Sequence, residues 1–590
     1  MDTERYRRWL GHPSWHHQLR PQPCGDAEEA ARLEFRIVVA FAPGEADLLA
    51  GVVSSLRNQT HPRWRAVLCP NSAEARHTMG LGERIRWQYR EPRVTLARPS
   101  SETGSPASAL NVGLAHAVGE PGPVGEPGRT PAGPVVLFAL PATRFIPDAL
   151  ETVALRMTAS DHPDLVYWDS DTIDDNGLRC HPRFLPGWSP EFLTSTNYIG
   201  PVLAMSNQAT KDLGAITTAP GTDPIHDLLL AWAWPSSGRH AGETAHIPRI
   251  LHSNLDLGPG PAPGGDPTAL TVRRSLQRSD QDGAAVALGP LPFSARVVRA
   301  PQGPARASVI IPFRDQPRML RRCVDSLLTS PGHDSFEVLL VDNDSREPET
   351  MALLERYGNH PKMSVVSVPG AFNWSSINNA AVARADGDVF VFVNNDIEAR
   401  SPSWLRQIVA QALRPDIGAV GARLLYGDGS LQHAGVVIGL GLTTHVLRDL
   451  PGSDPGYGGM AVLCREVTAA TGACLATSRG TFEALKGFDE ELALGYNDID
   501  YCLRAGQRGL RILYDPVVEM IHHESRSRGY SDERHEVARF FARWEKMVTQ
   551  GDPYYNPNLS RFGQCVTVPQ GDEEATWSEF LETFKAMVTT

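Results

Sequence analysis

The sequence predicts an α/β protein made of two tandem Rossmann-like domains with a C-terminal helical extension. Two observations carry this. Short apolar runs of strand length alternate with stretches whose apolar residues recur at helical spacing, the pattern of a largely parallel sheet covered by helices. The two halves of the chain can also be laid over each other, and repeats of this length are whole domains rather than solenoid units.

In the first half, RIVVAFA (36–42) and RAVLC (65–69) read as strands separated by a helix-like stretch. The Pro/Gly-rich EPGPVGEPGRTPAGP (120–134) reads as a surface loop, and GPGPAPGGDP (258–267) as part of an inter-domain connection. In the second half, ASVIIPF (307–313), FEVLLVD (336–342), SVVSV (364–368) and DVFVFVNND (388–396) are strand candidates. Leu320, Val324, Leu327 and Leu328 mark a helix between the first two. Near the end, Val537, Phe540, Phe541, Trp544 and Met547 form an apolar stripe read as core packing, with Ser531 as N-cap. The expected division is an N-terminal extension over 1–34, a first domain over 35–257, a linker over 258–304, a second domain over 305–530 and the helical extension over 531–590.

Composition bounds the function. Of 590 residues, 41% are hydrophobic and 21% charged, a globular balance rather than a disordered one. A formal net charge of −12 argues against nonspecific nucleic-acid binding. The 8 cysteines include no CxxC pair, so neither a zinc site nor a disulfide framework is signalled. No apolar run reaches membrane-spanning length, and the opening MDTERYRRWLGHPSWHH lacks the apolar centre of a signal peptide. A cytoplasmic protein is expected, with contact at a membrane surface still open to it.

The repeat distinguishes the halves chemically. VVSSLRNQTHPRWRAVLCPN (52–71) parallels CVDSLLTSPGHDSFEVLLVDN (323–343), and ALNVGLAHAVGE (109–120) parallels INNAAVARADGD (377–388), setting Asn111 on Asn379. In this superposition Pro70, Ala142 and Ile225 stand where the second half has Asp342, Asp396 and Asp498. Asp227 and His252 are set opposite Asp500 and His522. Carboxylates can hold a divalent cation or take a proton; Pro, Ala and Ile can do neither. Chemistry is therefore expected in the second half, with the first serving as scaffold, partner surface or acceptor-binding unit.

The second half resembles glycosyltransferase family 2, with its GT-A fold, and looks most like the bacterial two-domain members of O-antigen and surface-glycan assembly. The matching text is FNWSSINNAAVARADGDVFVFVNNDIEA, GAVGARLLYGDGSLQHAGVVIGLG, TAATGACLATSRGTFEALKGFDEELALGYNDIDYCLRAGQRG and HHESRSRGY, with DPYYNPNLS (552–560) fitting the same group. In the first half DLVYWDSDTID (164–174), FLPGWSPEFLTSTNYIG (184–200) and IPRILH (247–252) carry a fainter match whose acidic cluster is missing.

The resemblance implies a metal-dependent inverting transferase using a nucleotide-sugar donor, UDP- or dTDP-linked, and a bacterial glycan acceptor that could be lipid-linked. It implies Asp498 as general base, supported by Asp500 and Asn497. Asp396 becomes the ligand of Mn²⁺ or Mg²⁺, with His522 or His523 as a second contact and Asn394 and Asn395 beside them. Asp342 is expected at the nucleotide base, and Pro312 and Phe313 at the loop approaching the nucleoside. Asn379 orders the phosphate side or ties down backbone, and Gly472 and Ala473 let backbone come close to a sugar. Trp374 and Trp404 are read as core residues before sugar-stacking ones. The competing reading is a non-catalytic nucleotide-sugar or glycan-binding scaffold.

Overall fold

The computed structural model describes residues 2–12, 25–71, 91–97, 105–118, 133–217, 219–235, 242–256, 266–279, 283–523, 534–563, 566–571 and 573–589. The first sheet comprises β1 (Phe35–Phe41), β2 (Trp64–Pro70), β3 (Val94–Leu96), β4 (Val135–Ala139), β5 (Thr143–Phe145), β6 (Leu165–Ile173), β7 (Arg179–Arg183), β8 (Leu203–Met205) and β9 (Thr244–Leu255). A hairpin follows, β10 (Ala285–Leu288) and β11 (Ala295–Val298). The second sheet begins with β12 (Ala307–Phe313), β13 (Phe336–Asp342), β14 (Met363–Ser367), β15 (Val389–Val393), β16 (Ile397–Ala399), β17 (Ile417–Tyr426) and β18 (Leu431–His433). After the small ribbon β19 (Val436–Ile438) and β20 (Thr443–His445), it is completed by β21 (Arg465–Val467), β22 (Cys474–Ser478) and β23 (Arg511–His522).

The two sheets share one strand order. The first runs β3-β2-β1-β4-β8-β6-β9-β5 with β7 on β6; the second runs β14-β13-β12-β15-β22-β17-β23-β16 with β18 on β17 and, additionally, β21 on β23. Registers match as well. β1 opens with Phe35 opposite Trp64 and Val135, and β12 opens with Ala307 opposite Phe336 and Val389. Counting along from these starts, Pro70 falls on Asp342 and Ala142 on Asp396.

The second sheet is apolar on both faces because helices cover both. Ile310, Leu339, Phe390 and Phe392 pack in one layer with Trp374, Ile377, Phe482 and Phe488. Val309, Ile311, Leu340 and Val391 pack in the other with Leu320, Val324, Leu327, Trp404 and Ile408. Trp404 is thus a core residue rather than a sugar-stacking one, and its indole N–H donates to the Leu327 carbonyl.

Several expectations need adjustment. The segment 258–304 holds the helix Thr268–Arg278 and the β10–β11 hairpin. Its Pro/Gly content drew attention from Ala269, Val272 and Leu276, which bury one helix face in the first-half core. The loop over 120–134 lies outside the described residues except for its last two, and Ser531 lies outside them entirely. The C-terminal helices Arg534–Gln550 and Glu573–Thr589 are present, with Val537, Phe540, Phe541 and Trp544 buried and Met547 partly so. No helix among the described residues is long and apolar enough to cross a membrane.

The DPYYNPNLS segment straps the halves together. The Asp552 carboxylate accepts from the Ile438 N–H and the Thr468 hydroxyl in the second half. The Asn556 and Asn558 amides donate to Asp169 in the first half, and to the carbonyls of Leu185 and Pro248.

Candidate active site

Beyond the carboxyl ends of the second-sheet strands lies a cavity of about 250 Å³. Open α/β sheets place ligands at this edge, because there strands give way to loops and helix N-termini. Its lining brings together the predicted Asn394, Gly472, Ala473, Asn497, Asp498 and His522. Trp374, Tyr426, Gln432, His445, Arg448, Thr471 and Leu494 complete it.

His522 ends β23, opposite Ile397 of β16 and Tyr426 of β17. That register sets its ring beside Asp396, the residue before β16, with Nε2 3.1 Å from the Asp396 Oδ1. Its Nδ1 lies 2.8 Å from the Gln432 Oε1. An amide oxygen only accepts, so Nδ1 carries a proton and Nε2 is turned toward the carboxylate. A carboxylate oxygen and an imidazole nitrogen at this spacing are a pair that a divalent cation can engage. The carboxylate-plus-imidazole pair is therefore chemically suited to a divalent ion. Among the described residues no cluster of three or more His, Cys, Asp or Glu side chains is arranged to hold a metal. His523 turns away, its Nε2 2.8 Å from the Glu398 carboxylate; of the two histidines, His522 is the one at the cavity. The remainder of the HHESRSRGY motif lies outside the described residues.

Asp498 sits in the first turn of the helix Asn497–Gln507. Its Oδ2 accepts the Gly472 N–H at 2.6 Å and its Oδ1 the Ile499 N–H at 2.8 Å. Burial pushes its pKa above the ordinary carboxylate value, against the opposing pull of those N–H groups and of the Thr471 hydroxyl. Gly472 is required by packing: a Cβ there would come 2.9 Å from the Trp374 ring and 3.3 Å from the Asp498 Cβ. Trp374 is buried yet forms part of the cavity wall, and its indole N–H donates to the Asn394 side-chain oxygen at 3.2 Å. Ala473 fixes the same strand end by accepting the Asn394 N–H at 3.0 Å.

Other predicted residues lie off this cavity. Pro312 and Phe313 are buried inside β12 rather than opening a loop; the apolar run simply extends the strand by two residues. Asp342 ends β13 beside Phe313, and its Oδ1 accepts the Ser345 N–H in a turn. Asn395 is half-buried and outside the lining. Asn379 is spent on backbone: its Oδ1 accepts the Phe488 N–H and its Nδ2 donates to the Phe488 carbonyl. Asp500 is fully buried and pairs with Arg504 and Arg543 while accepting the Trp544 indole N–H, so it anchors the C-terminal helix.

The first half repeats the supports without the chemistry. Asn111 makes the same amide pair with the Ile216 backbone, and Asp227 pairs with Arg278 of the following helix as Asp500 does with Arg543. One equivalence shifts by two residues. Thr143 pairs with Asn254 where Ile397 pairs with His522, so Asn254, not His252, occupies the His522 position. Bulges in the β6–β9 ladder hid this offset. His252 is a core residue whose Nδ1 accepts the Trp168 indole N–H, and burial pushes its pKa down to about 3.

Sequence reasoning missed Tyr426, Gln432, His445, Arg448 and Thr471. Gln432 lies within a quoted motif, but as the partner of a histidine 90 residues away only the fold identifies it. Arg448 lies over the Tyr426 ring, 5.7 Å from its centroid; the polar THVLR that follows an apolar run was the available signal.

Most of the residues lining this cavity, though not Leu494, Asn497, Asp498 or His522, fall in a stretch of recognised type. Residues 308–482 match the family described as Glycosyl transferase family 2. It is 33% identical over 563 residues to the O-antigen biosynthesis protein RfbC of Myxococcus xanthus, covering 93% of this chain and 42% of that one. The uncharacterized protein y4gI of Sinorhizobium fredii is 33% identical over 548 residues, with 89% and 57% covered. A pre-mycofactocin glycosyltransferase of Mycobacterium tuberculosis is 26% identical over 231 residues, 38% and 44% of the two chains. The chain thus spans about half the length of the curated relatives it matches across both halves.

Proposed function

We propose that the second half is a metal-dependent inverting glycosyltransferase, moving a sugar from a UDP- or dTDP-linked donor to a hydroxyl of a bacterial surface glycan. The observation that carries this is the cavity lined by Asp498 and His522, with the Asp396 Oδ1 3.1 Å from the His522 Nε2, in a chain whose residues 308–482 match family 2. Asp396 and the His522 Nε2 would hold a divalent cation, Mn²⁺ or Mg²⁺, which when bound neutralises the leaving diphosphate.

Asp498 takes the proton. Its oxygens accept the Gly472 and Ile499 N–H groups and the Thr471 hydroxyl, three of the roughly four acceptor positions of a carboxylate, which leaves one for the acceptor hydroxyl. As the hydroxyl oxygen bonds to the anomeric carbon, the bond from that carbon to the diphosphate oxygen breaks, and the hydroxyl proton passes to the carboxylate. Burial raises the basicity of Asp498 and suits it to the task. The fixed Gly472 and Trp374 backing keeps it from rotating away. A glycan acceptor agrees with the O-antigen role stated in the name of the Myxococcus relative. The lipid linkage of that acceptor, a working place at the inner membrane face and the expected domain boundaries belong to the same proposal.

The test is nucleotide release from a panel of UDP-, dTDP- and GDP-sugars with Mn²⁺ or Mg²⁺, run beside Asp396→Ala and Asp498→Asn. Release confined to one donor and lost in both variants supports the reading. Release that survives Asp498→Asn and Asp396→Ala overturns it, and donor binding without turnover on any acceptor favours the non-catalytic scaffold.

A further inference from the structure

A second cavity, of about 370 Å³, lies where the two halves and the C-terminal strap meet. Its size is that of small-ligand pockets. The first half supplies Phe184 and Tyr198, the second supplies Tyr457, and the strap supplies Tyr554. No side chain of the Asp396–His522–Asp498 cavity lines it.

The chemistry of the lining is specific. Tyrosine tips are turned into the protein: the Tyr457 hydroxyl accepts the Phe184 N–H and donates to the Pro182 carbonyl, and the Tyr198 hydroxyl accepts the Ser189 N–H. The hydroxyls of Tyr457 and Tyr198 are therefore engaged by backbone, and the aromatic rings, that of Tyr198 stacked on Phe192, are what these side chains add to the lining. Polar groups stand beside them. Arg183 is exposed, with one guanidinium nitrogen on the Tyr198 carbonyl, and Asn197 is half-buried with its Oδ1 on the Gly200 N–H, leaving its amide N–H₂ for a ligand. Aliphatic lining comes from Leu185, Met460 and Leu559 and the rings of Pro182 and Pro186.

Aromatic faces flanked by guanidinium and amide donors match a pyranose, whose C–H faces stack while its hydroxyls accept hydrogen bonds. An isoprenoid or acyl chain would call for a longer aliphatic channel. We propose that this cavity is a saccharide-binding subsite that holds a part of the acceptor glycan remote from the hydroxyl being glycosylated. This rests on the transferase reading above for the word acceptor, but not for the binding of sugar. It gives the first half a use that needs no carboxylates. Remote binding of this kind also spends contacts far from the reacting bond on positioning it.

The experiment uses the full chain. Saturation-transfer NMR with a panel of methyl hexopyranosides and methyl 6-deoxyhexopyranosides reads binding, and competition titrations give affinity. Tyr554→Ala is expected to weaken binding about tenfold, and Tyr554→Phe to keep it, because the ring face is retained. His181→Ala, an exposed rim change that removes no core packing, gives a smaller loss and covers the case in which Tyr554→Ala unfolds. No saccharide binding by the wild-type chain, or binding equal in wild type, Tyr554→Ala and His181→Ala, overturns the proposal. Nucleotide binding measured on the same samples separates the two readings. Saccharide binding lost with Tyr554→Ala in a chain that binds no nucleotide sugar would leave this subsite standing and remove the transferase reading.

Discussion

At the scale of single residues, the site turns on how Asp498 is held. Its carboxylate is fixed by Gly472 and Ile499 N–H groups, and burial raises its pKa despite them. Asp498→Asn keeps the shape but cannot take a proton, so transfer should fall by roughly 10²–10⁴-fold while calorimetry still registers donor binding. Unchanged transfer by that variant would end the base assignment. The pH profile follows from the same group. A base works only when deprotonated, and a raised pKa moves the pH at which it is lost upward. The acid limb of kcat/KM should therefore sit above the ordinary aspartate value of about 3.9. A limb at or below that value would mean that Asp498 is not the titrating base. Asp396, Asp498 and the pair His522 and His523 could be singled out from their motifs, and the structure sets Asp396 and His522 side by side. What could not be read was the tautomer of His522, because Gln432 sets it from a distant strand.

At the scale of elements, the duplicate strand order separates architecture from chemistry. Asn111 and Asn379 occupy equivalent helices and each clasps one backbone residue, Ile216 or Phe488. A feature kept in a half lacking the carboxylates belongs to folding, so Asn379 is better explained as a helix-to-loop tie than as a donor contact. Asn379→Ala and Asn111→Ala should each cost about 1–3 kcal/mol in urea unfolding, the penalty for orphaned backbone groups. Donor affinity should be little changed by the first. A selective loss of donor binding with unchanged stability would restore the phosphate-side role. The repeat was legible because both helices carry the same Asn amid small apolar residues. Its register was legible up to β5, and failed at β9 because bulges insert residues without any mark in the apolar pattern.

At the scale of the whole molecule, the halves meet through buried charge as well as through the strap. Glu191, from the first half, is buried against Arg414 at 2.5 Å, with Arg511 and Arg299 within 4 Å. Glu466 of the second half accepts the Ser189 hydroxyl and the Glu191 N–H in return. None of this was legible beforehand, because Glu191 lies in a helix of ordinary composition and its partners are more than 100 residues away. Burial alone would raise the Glu191 pKa, but the three arginines outweigh it and hold the carboxyl down to about 2. A depressed carboxyl adds stability that is complete above its unfolded value of about 4.3 and is lost as pH falls toward the folded one. Glu191→Gln removes the charge and leaves the arginines under-compensated, so unfolding at neutral pH should be easier by about 3–5 kcal/mol. The variant should also lose less stability than wild type between about pH 4 and pH 2, since it has no proton to take up there. Equal acid sensitivity in the two proteins would place the titrating groups elsewhere, whereas a flattened profile with separate transitions for the two halves would mark Glu191 as the charge that makes them unfold together.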